Sequence, residues 1–560
     1  MRFSHVNKSL AVLALAALAA CGGGGGGGGG GPAAFVPGNG GQRPDGSPIL
    51  ARIVGVGDSL TAGYQADGFL GAVGFKNPLA PGLFVPPTQQ SGWWTLLYEQ
   101  ASGLPLDTII ADMYDPAKSP LPLITGPGLD NQIVASDTPV PFGQFKGANP
   151  CTFDSSFNLA GFRLRPSARV RINPTATTVR NVGVPGLTLH EAITIHLPPT
   201  DTCKPLPGIP GLLSDVVQEE SGTYWPVLRN FVNLGGHLTE VNAAASLHPT
   251  LATYWLGAND VLKYMGSGGR FVGGNRTPGQ TESDVRAAVS TLEGAGAHVV
   301  VANLPNIVET GYFQMVEMPK TSHDCRIRSY AFCFLKDVGG LPANAVQQIA
   351  EKYHLNTPGG CVAASTTKPC GYLTLPGALL ILNYFNQYPS ASGYADLDCA
   401  VPKPNCKSVP GSGLGANYIT PEFAGKVQAI NNAVNEGIDD AATALRVPMV
   451  DVAQIFHGLA SGNPANPYFH LASSIRPGLC CTLGYIYEPP GTFTPANGGI
   501  LSFDGIHPSN SGYGLIAYAF IATINKAYGT HIPQIDLKAV YAGTRCGNPK
   551  FCFPDPYAPH

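Results

Sequence analysis

The sequence predicts an α/β layered fold built on a parallel sheet. Two observations carry that expectation. Short apolar runs recur along the chain, at Ile49 to Val56, Leu251 to Leu256, His298 to Asn303 and Val447 to Val452, and each reads as a strand buried on both faces. Between them lie segments with helical periodicity, so strands and helices alternate, as they do when helices cover a parallel sheet.

Taken in order, Ile49 to Val56 opens the folded part, and Ser59 to Tyr64 starts a turn and a helix. From about 68 to 176 the chain is rich in Pro and Gly and reads as an insertion with one helix near Trp93 to Ala101. Thr178 to Val182 is a second strand, leading through Gly183 and Gly186 into a helix around Thr188 to Ile195. After Leu251 to Leu256 comes a short helix. Ser283 to Ala295 has the 3.6-residue pattern of an amphipathic helix, and His298 to Asn303 is the strand after it. Cysteine-laced loops fill about 311–418. Thr420-Pro421-Glu422 is a helix start, with an N-cap and Pro at the first helical position, and that helix runs to about Leu445. Val447 to Val452 follows, then a loop insertion over about 458–499 and a last helix over Ser511 to Tyr528.

Composition narrows the function classes. Charged residues make up 12% of the 560, about half the usual share. The net charge of −3 offers no basic surface for nucleic acid. Of 13 Cys, setting Cys21 aside leaves an even dozen with no C-x-x-C pair, which reads as a disulfide framework in an exported protein rather than a zinc ribbon. The local pairs Cys325/Cys333, Cys361/Cys370, Cys399/Cys406 and Cys546/Cys552 are favoured as bridges, although spacing does not fix connectivity. The adjacent Cys480 and Cys481 either take separate partners or bridge each other. His190, His196, His237 and His248 show no metal-ligand spacing.

The first residues point to a compartment. Arg2 and Lys8 precede the apolar run Leu10 to Ala20, too short to span a bilayer but fitting a signal-peptide core. The run ends in Leu18-Ala19-Ala20-Cys21, which resembles the bacterial lipoprotein cleavage box. That resemblance implies removal of residues 1–20 and a lipid on Cys21, hence a membrane partner. The lack of Asp after Cys21 is compatible with outer-membrane sorting in lipoproteins of this kind. The alternative is an ordinary signal peptide cut near Ala20. Gly22 to Gly31 is unbroken glycine, and residues 21–48 read as a flexible tether with a reach of about 30 Å.

Several loops after strands hold the residue types of nucleophilic catalysis. Gly57-Asp58-Ser59-Leu60 places a serine between strand and helix, where free backbone N–H groups favour developing negative charge. A hydroxyl is a poor nucleophile near neutral pH and needs a base, and Asp504-Gly505-Ile506-His507-Pro508 supplies an imidazole with a carboxylate three residues before it. Pro508 biases His507 away from helical geometry. Gly257-Ala258-Asn259-Asp260 offers a side-chain amide, and Asn181-Val182-Gly183-Val184-Pro185-Gly186 offers glycine N–H groups to a tetrahedral oxyanion. Read singly, each stretch is an ordinary turn or cap. Asp58 is expected to make structural hydrogen bonds, Asp260 to cap a helix or support Asn259, and Trp93-Trp94 to pack a helix or line a cleft.

In their order along the chain, these four motifs resemble the GDSL (SGNH) hydrolase family. The resemblance implies a three-layer α/β/α flavodoxin-like core and metal-free, cofactor-free hydrolysis of esters or thioesters. It assigns Ser59 as nucleophile, His507 as base and Asp504 as third triad member. Ser59, Gly186 and Asn259 form the oxyanion hole, Gly186 being preferred to Gly183 because Asn181 aligns with the family's usual Asn. G-x-S-x-G is absent, so the other large esterase fold finds no support. The likeness covers about half of the chain and leaves 68–176, 311–418 and 458–499 as insertions expected to set substrate choice.

The sequence therefore predicts a hydrolase domain over 49–530 and a C-terminal extension with a disulfide over 531–560. The leading expectation is a lipase or esterase acting on hydrophobic or lipid esters, with no nucleic-acid partner. The alternatives are an O-acetyl esterase of cell-wall or exopolysaccharide sugars, or a surface binding lipoprotein with a vestigial core.

Overall fold

The computed structural model describes residues 47–65, 88–104, 106–124, 129–133, 158–159, 162–164, 176–194, 227–266, 274–310, 343–357, 360–361, 370–373, 418–461, 466–475, 485–488, 492–495, 500–501 and 506–545. Residues 1–46, which hold the signal segment and all but the end of the tether, and most of the insertions, lie outside that set. So do the side chains of every cysteine except Cys370, which is disulfide-bonded.

The fold is mixed α/β around a four-stranded parallel sheet. Its elements in chain order are β1 (Ile53–Gly57), α1 (Ser59–Ala62), α2 (Trp93–Ser102), α3 (Glu240–Ser246), β2 (Leu251–Trp255), α4 (Ala258–Gly266), α5 (Pro278–Gly294), β3 (His298–Ala302), α6 (Pro421–Leu445), β4 (Met449–Val450) and α7 (Asn510–Tyr528). The strands lie side by side as β1-β2-β3-β4, with Ile53 opposite Leu251, Leu251 opposite His298 and Met449 opposite Val301. Every residue of β1 and β2 is buried, which is why these strands are apolar throughout rather than alternating.

Successive strand side chains point to opposite faces, and β2 shows what covers each. Trp255 meets Trp93 of α2, with ring centroids 5.8 Å apart, and Trp93 stacks at 4.0 Å on Phe520 of α7. Each such pair adds about 0.5–1.5 kcal/mol beyond area burial. Trp93 and Trp94 are completely buried, so they pack a helix and line no cleft. Tyr254 points the other way, toward α3, α4 and α5 and their carboxylates. Helix α6 packs along α5 on that side.

Helix ends follow their capping chemistry. Thr420 accepts from the Phe423 N–H before Pro421, and Ser509 accepts from the Gly512 N–H to start α7. Helix α5 begins five residues before the expected Ser283. Thr277 and Gln280 form a reciprocal capping box around Pro278, and that local signal outranks the apolar period.

Other expectations are corrected. Pro48–Ala51 is a 3-10 turn, so the first strand starts at Ile53. Thr178 to Val182 forms one bridge, Asn181 with Gly55, rather than a strand; the pairing reaches Val184 N–H to Gly57 O and stops where Leu187 N–H donates to Val184 O and closes a turn. The helix after it is only Glu191–Thr194 within the described residues. Val447 to Val452 shrinks to Met449–Val450, because Val452 opens a helix to Ser461.

The insertions are more structured than loops. Helices cover Leu106–Tyr114, Ala343–Tyr353 and Pro467–Ile475. A five-stranded antiparallel sheet joins Leu129–Ile133, Asn158–Leu159 and Phe162–Leu164 from the first insertion to Tyr485–Glu488 and Thr492–Pro495 from the third. Period-2 patterning is weak in such short strands, so they escape a reading by periodicity. The C-terminal extension packs back on the core, with Arg545 at 3.0 Å from Glu99 of α2.

Candidate active site

Three of the four motifs sit at the carboxyl edge of the sheet because each follows a strand or bridge there, and His507 reaches the same edge from the start of α7. Ligands of open α/β sheets bind at that edge. Ser59 opens α1, two residues past the end of β1, with Asp58 as the cap between them. The segment carrying His507 is held by the Leu501–Pro508 bridge and the Ser509 N–H donating to Ile500 O.

These placements bring Ser59 and His507 together across the chain. Nε2 of His507 lies 2.8 Å from Oγ of Ser59, within hydrogen-bond range and in the geometry a base needs. The Tyr64 ring packs tilted against the imidazole, with centroids 4.9 Å apart. Two further bonds tie the end of the serine segment to α7. Gln65 Nε2 donates to Asn510 Oδ1 at 2.8 Å, and Tyr513 OH donates to Tyr64 O at 2.5 Å. Asp504, the third residue of the predicted triad, lies outside the described residues, as does Cys21.

Facing the serine is the Asn181–Gly186 loop. Val184 N–H donates to Gly57 O, which lays the loop beside the nucleophile turn. Gly183 N–H is taken by Asn181 Oδ1, and a Cβ at Gly183 would come within 2.9 Å of Ala62 N. Gly186 differs. Its φ of +86° is a glycine conformation, nothing would lie within 4 Å of an added Cβ, and its N–H donates to nothing among the described residues. Ser59 N–H, at the first helical position, is uncommitted in the same way. Geometry thus favours Gly186 over Gly183 as a donor to substrate.

Asn259 opens toward the same edge, but both of its amide protons have partners here. Nδ2 donates to Asp58 Oδ2 at 3.1 Å and to Leu187 O at 3.0 Å. Donation to an oxyanion therefore means exchanging one of those bonds. Asp58 is fully buried, and its other oxygen accepts from Leu60 N–H at 2.9 Å. Burial pushes the Asp58 carboxyl up to about 7, opposed by the Leu60 N–H and the nearby His507 charge. Sequence reasoning gave Asp58 structural hydrogen bonds, and it makes them. One partner, however, is the amide placed in the oxyanion hole.

Around this centre lies a set of buried acids that the motifs do not reveal, apart from Asp260. Glu240 Oε1 accepts from Gly57 N–H at 2.7 Å, and burial holds its carboxyl well above the usual range. Asp260 Oδ2 accepts from Leu189 N–H, and burial raises its carboxyl to about 6. Asp284 of α5 reaches His190. No local signal marks Glu240 or the contact of Asp284 with His190, since their partners lie far along the chain. Among the described residues no cluster of His, Cys, Asp and Glu could hold a metal ion. No protein-family model matches the chain, and no curated protein does.

Proposed function

We propose that this protein is a serine hydrolase of carboxylic esters, working through an acyl-enzyme on a flavodoxin-like SGNH core. The observation that carries the reading is the 2.8 Å approach of His507 Nε2 to Ser59 Oγ, together with N–H groups at Ser59 and Gly186 that donate to nothing among the described residues. The strand arrangement supports it too. Counting the Asn181 bridge as second in chain order, the sheet runs 2-1-3-4-5, one of the two common doubly wound orders.

In the proposed cycle His507 takes the Ser59 proton as the oxygen attacks the ester carbonyl. The oxyanion is received by the Ser59 and Gly186 N–H groups, joined by the Asn259 amide when it leaves Asp58 or Leu187. His507 then protonates the departing alcohol, and water, activated by the same imidazole, releases the acid. Asp504 is proposed to hold the other ring nitrogen. Lipid attachment at Cys21, a flexible tether and residence at the outer membrane complete the proposal.

The test is covalent labelling by a fluorophosphonate probe, expected in the parent protein and absent in Ser59→Ala. A panel of p-nitrophenyl esters against acetylated glycans then separates hydrophobic esters from sugar acetates. Absence of labelling in a folded parent protein would sink the reading.

A further inference from the structure

Gly186 is held in place by what grips the next five residues, and that grip is largely electrostatic. Leu187 O accepts from Asn259, and Leu189 N–H donates to Asp260 Oδ2 at 3.0 Å. His190 Nδ1 lies 3.3 Å from Asp284 Oδ1. Glu191 accepts from Lys263 Nζ at 2.7 and 2.8 Å and turns its own carboxylate back to Thr188 N–H. Two of these anchors, Asp260 and Asp284, are buried carboxylates that sit on different helices.

One cation lies between them. Arg276, in the segment before α5, has only 8% of its side chain exposed. Its Nη2 donates to Asp284 Oδ2 at 2.6 Å and meets Gln280 O at 3.4 Å. Its Nε stands 3.3 Å from Asp260 Oδ1, an ion-pair distance although the N–H is not aligned as a hydrogen bond. Two buried carboxylates with no cation near would repel each other and resist ionisation. With Arg276 between them, each keeps one oxygen for the cation and turns the other to the loop.

We propose that Arg276 is a positioning residue for the oxyanion hole: it pairs with Asp260 and Asp284 so that they hold residues 187–190, and through them the Gly186 N–H, in register with Ser59. Arg276 touches neither substrate nor reacting atoms. Its catalytic meaning rests on the proposed serine-hydrolase reading, whereas the clamp itself does not. A planar guanidinium suits the task because Nε and Nη2, fixed on one rigid fork, meet the two carboxylates from separate atoms.

The experiment combines kinetics on p-nitrophenyl butyrate with hydrogen exchange of the full chain, for Arg276→Gln, Arg276→Lys and Asp284→Asn. Loss of one oxyanion donor lowers kcat by roughly 10²–10³-fold, so misplacing one should cost about 10–100-fold with KM held within about threefold. Exchange of the 187–191 amides should accelerate about tenfold or more, while the 507–513 amides keep their protection. Arg276→Lys should recover part of both losses. Asp284→Asn, which keeps the shape and loses one partner, should fall between, and it serves if Arg276→Gln does not fold. Parent-like kcat with unchanged 187–191 exchange overturns the proposal. Equal deprotection of both segments also overturns it, since that marks general destabilisation. If the parent turns over no ester and Ser59 takes no label, the hydrolase reading fails, and the exchange arm still decides whether Arg276 clamps the loop.

Discussion

The two sides of the candidate site are built from different forces. On the base side, Ser59 and His507 are tied by uncharged bonds, Gln65 to Asn510 and Tyr513 to Tyr64, and by the Tyr64 ring lying on the imidazole. On the proposed oxyanion side, Gly186 and Asn259 are tied through carboxylates, Asp58, Asp260, Asp284 and Glu191, with Arg276 as the cation of Asp260 and Asp284 and Lys263 that of Glu191. Neutral bonds hold at any pH that leaves the fold intact. A buried carboxylate changes its hydrogen-bonding capacity when it takes a proton, so the ties that hold the oxyanion side answer to pH in a way that the neutral ties of the base side do not.

The largest expected effects probe what each side does before asking how it is held. His507→Ala should lower kcat for an activated ester on the order of 10⁴-fold or more, since a serine without its base keeps only what binding and the oxyanion donors supply. Asn259→Ala should lower kcat about 10²–10³-fold with little change in KM. Parent-like kcat in Asn259→Ala would mean that its amide never leaves Asp58 and Leu187, and the oxyanion hole would then consist of two backbone donors.

Asp58→Asn sharpens the contrast directly. One oxygen becomes an NH₂ group that faces another NH₂ on Asn259, so the bond between them is lost and kcat should fall about tenfold, the scale of one hydrogen bond. The same variant carries a stability signature. The Asp58 carboxyl stands at about 7 in the folded chain against an ordinary 3.8, so the folded state holds the proton more tightly than the unfolded one. Its contribution to stability is fully present below about pH 4 and is lost as pH rises through about 7. Asp58→Asn cannot titrate, so relative to the parent it should gain about 2–3 kcal/mol between pH 5 and pH 8. Chemical denaturation at the two pH values measures this, and a pH-independent difference would place the charge elsewhere.

What was legible in the sequence follows from the range of the forces involved. Strands β1, β2 and β3 could be read because burial on both faces leaves continuous apolar runs, and α6 because it announces a cap with Pro at the first helical position, while α7 was legible from Ser511 onward without its Ser509 cap. Ser59, Gly186, Asn259 and His507 could be read because each sits in a short motif, and the first three follow a strand or bridge. Arg276 and Glu240 could not. Arg276 is distinguished only by two carboxylates brought to it by α4 and α5, and Glu240 only by the N–H of a glycine 183 residues away. Contacts of that kind exist only after the sheet has assembled. The short strands of the insertions fail for a different reason: two to five residues hold too little alternation to distinguish a strand from a loop.

The smallest expected effect tests whether the base side is as redundant as its bonds suggest. Tyr513→Phe keeps the buried ring and removes only the hydroxyl that donates to Tyr64 O at 2.5 Å. The carbonyl of Tyr64 then loses a donor in a buried place, at a cost of about 1–2 kcal/mol. That cost should register as a lower urea midpoint with an unchanged slope, because the surface exposed on unfolding is the same. Turnover should stay within about twofold of the parent, for Gln65 and Asn510 still join the same two segments and the Tyr64 ring still packs on His507. If instead kcat drops tenfold while stability barely moves, one hydroxyl sets the Ser59–His507 distance. Precision would then be concentrated on the base side rather than shared among neutral bonds, and the asymmetry between the two halves of the site would be one of redundancy as much as of charge.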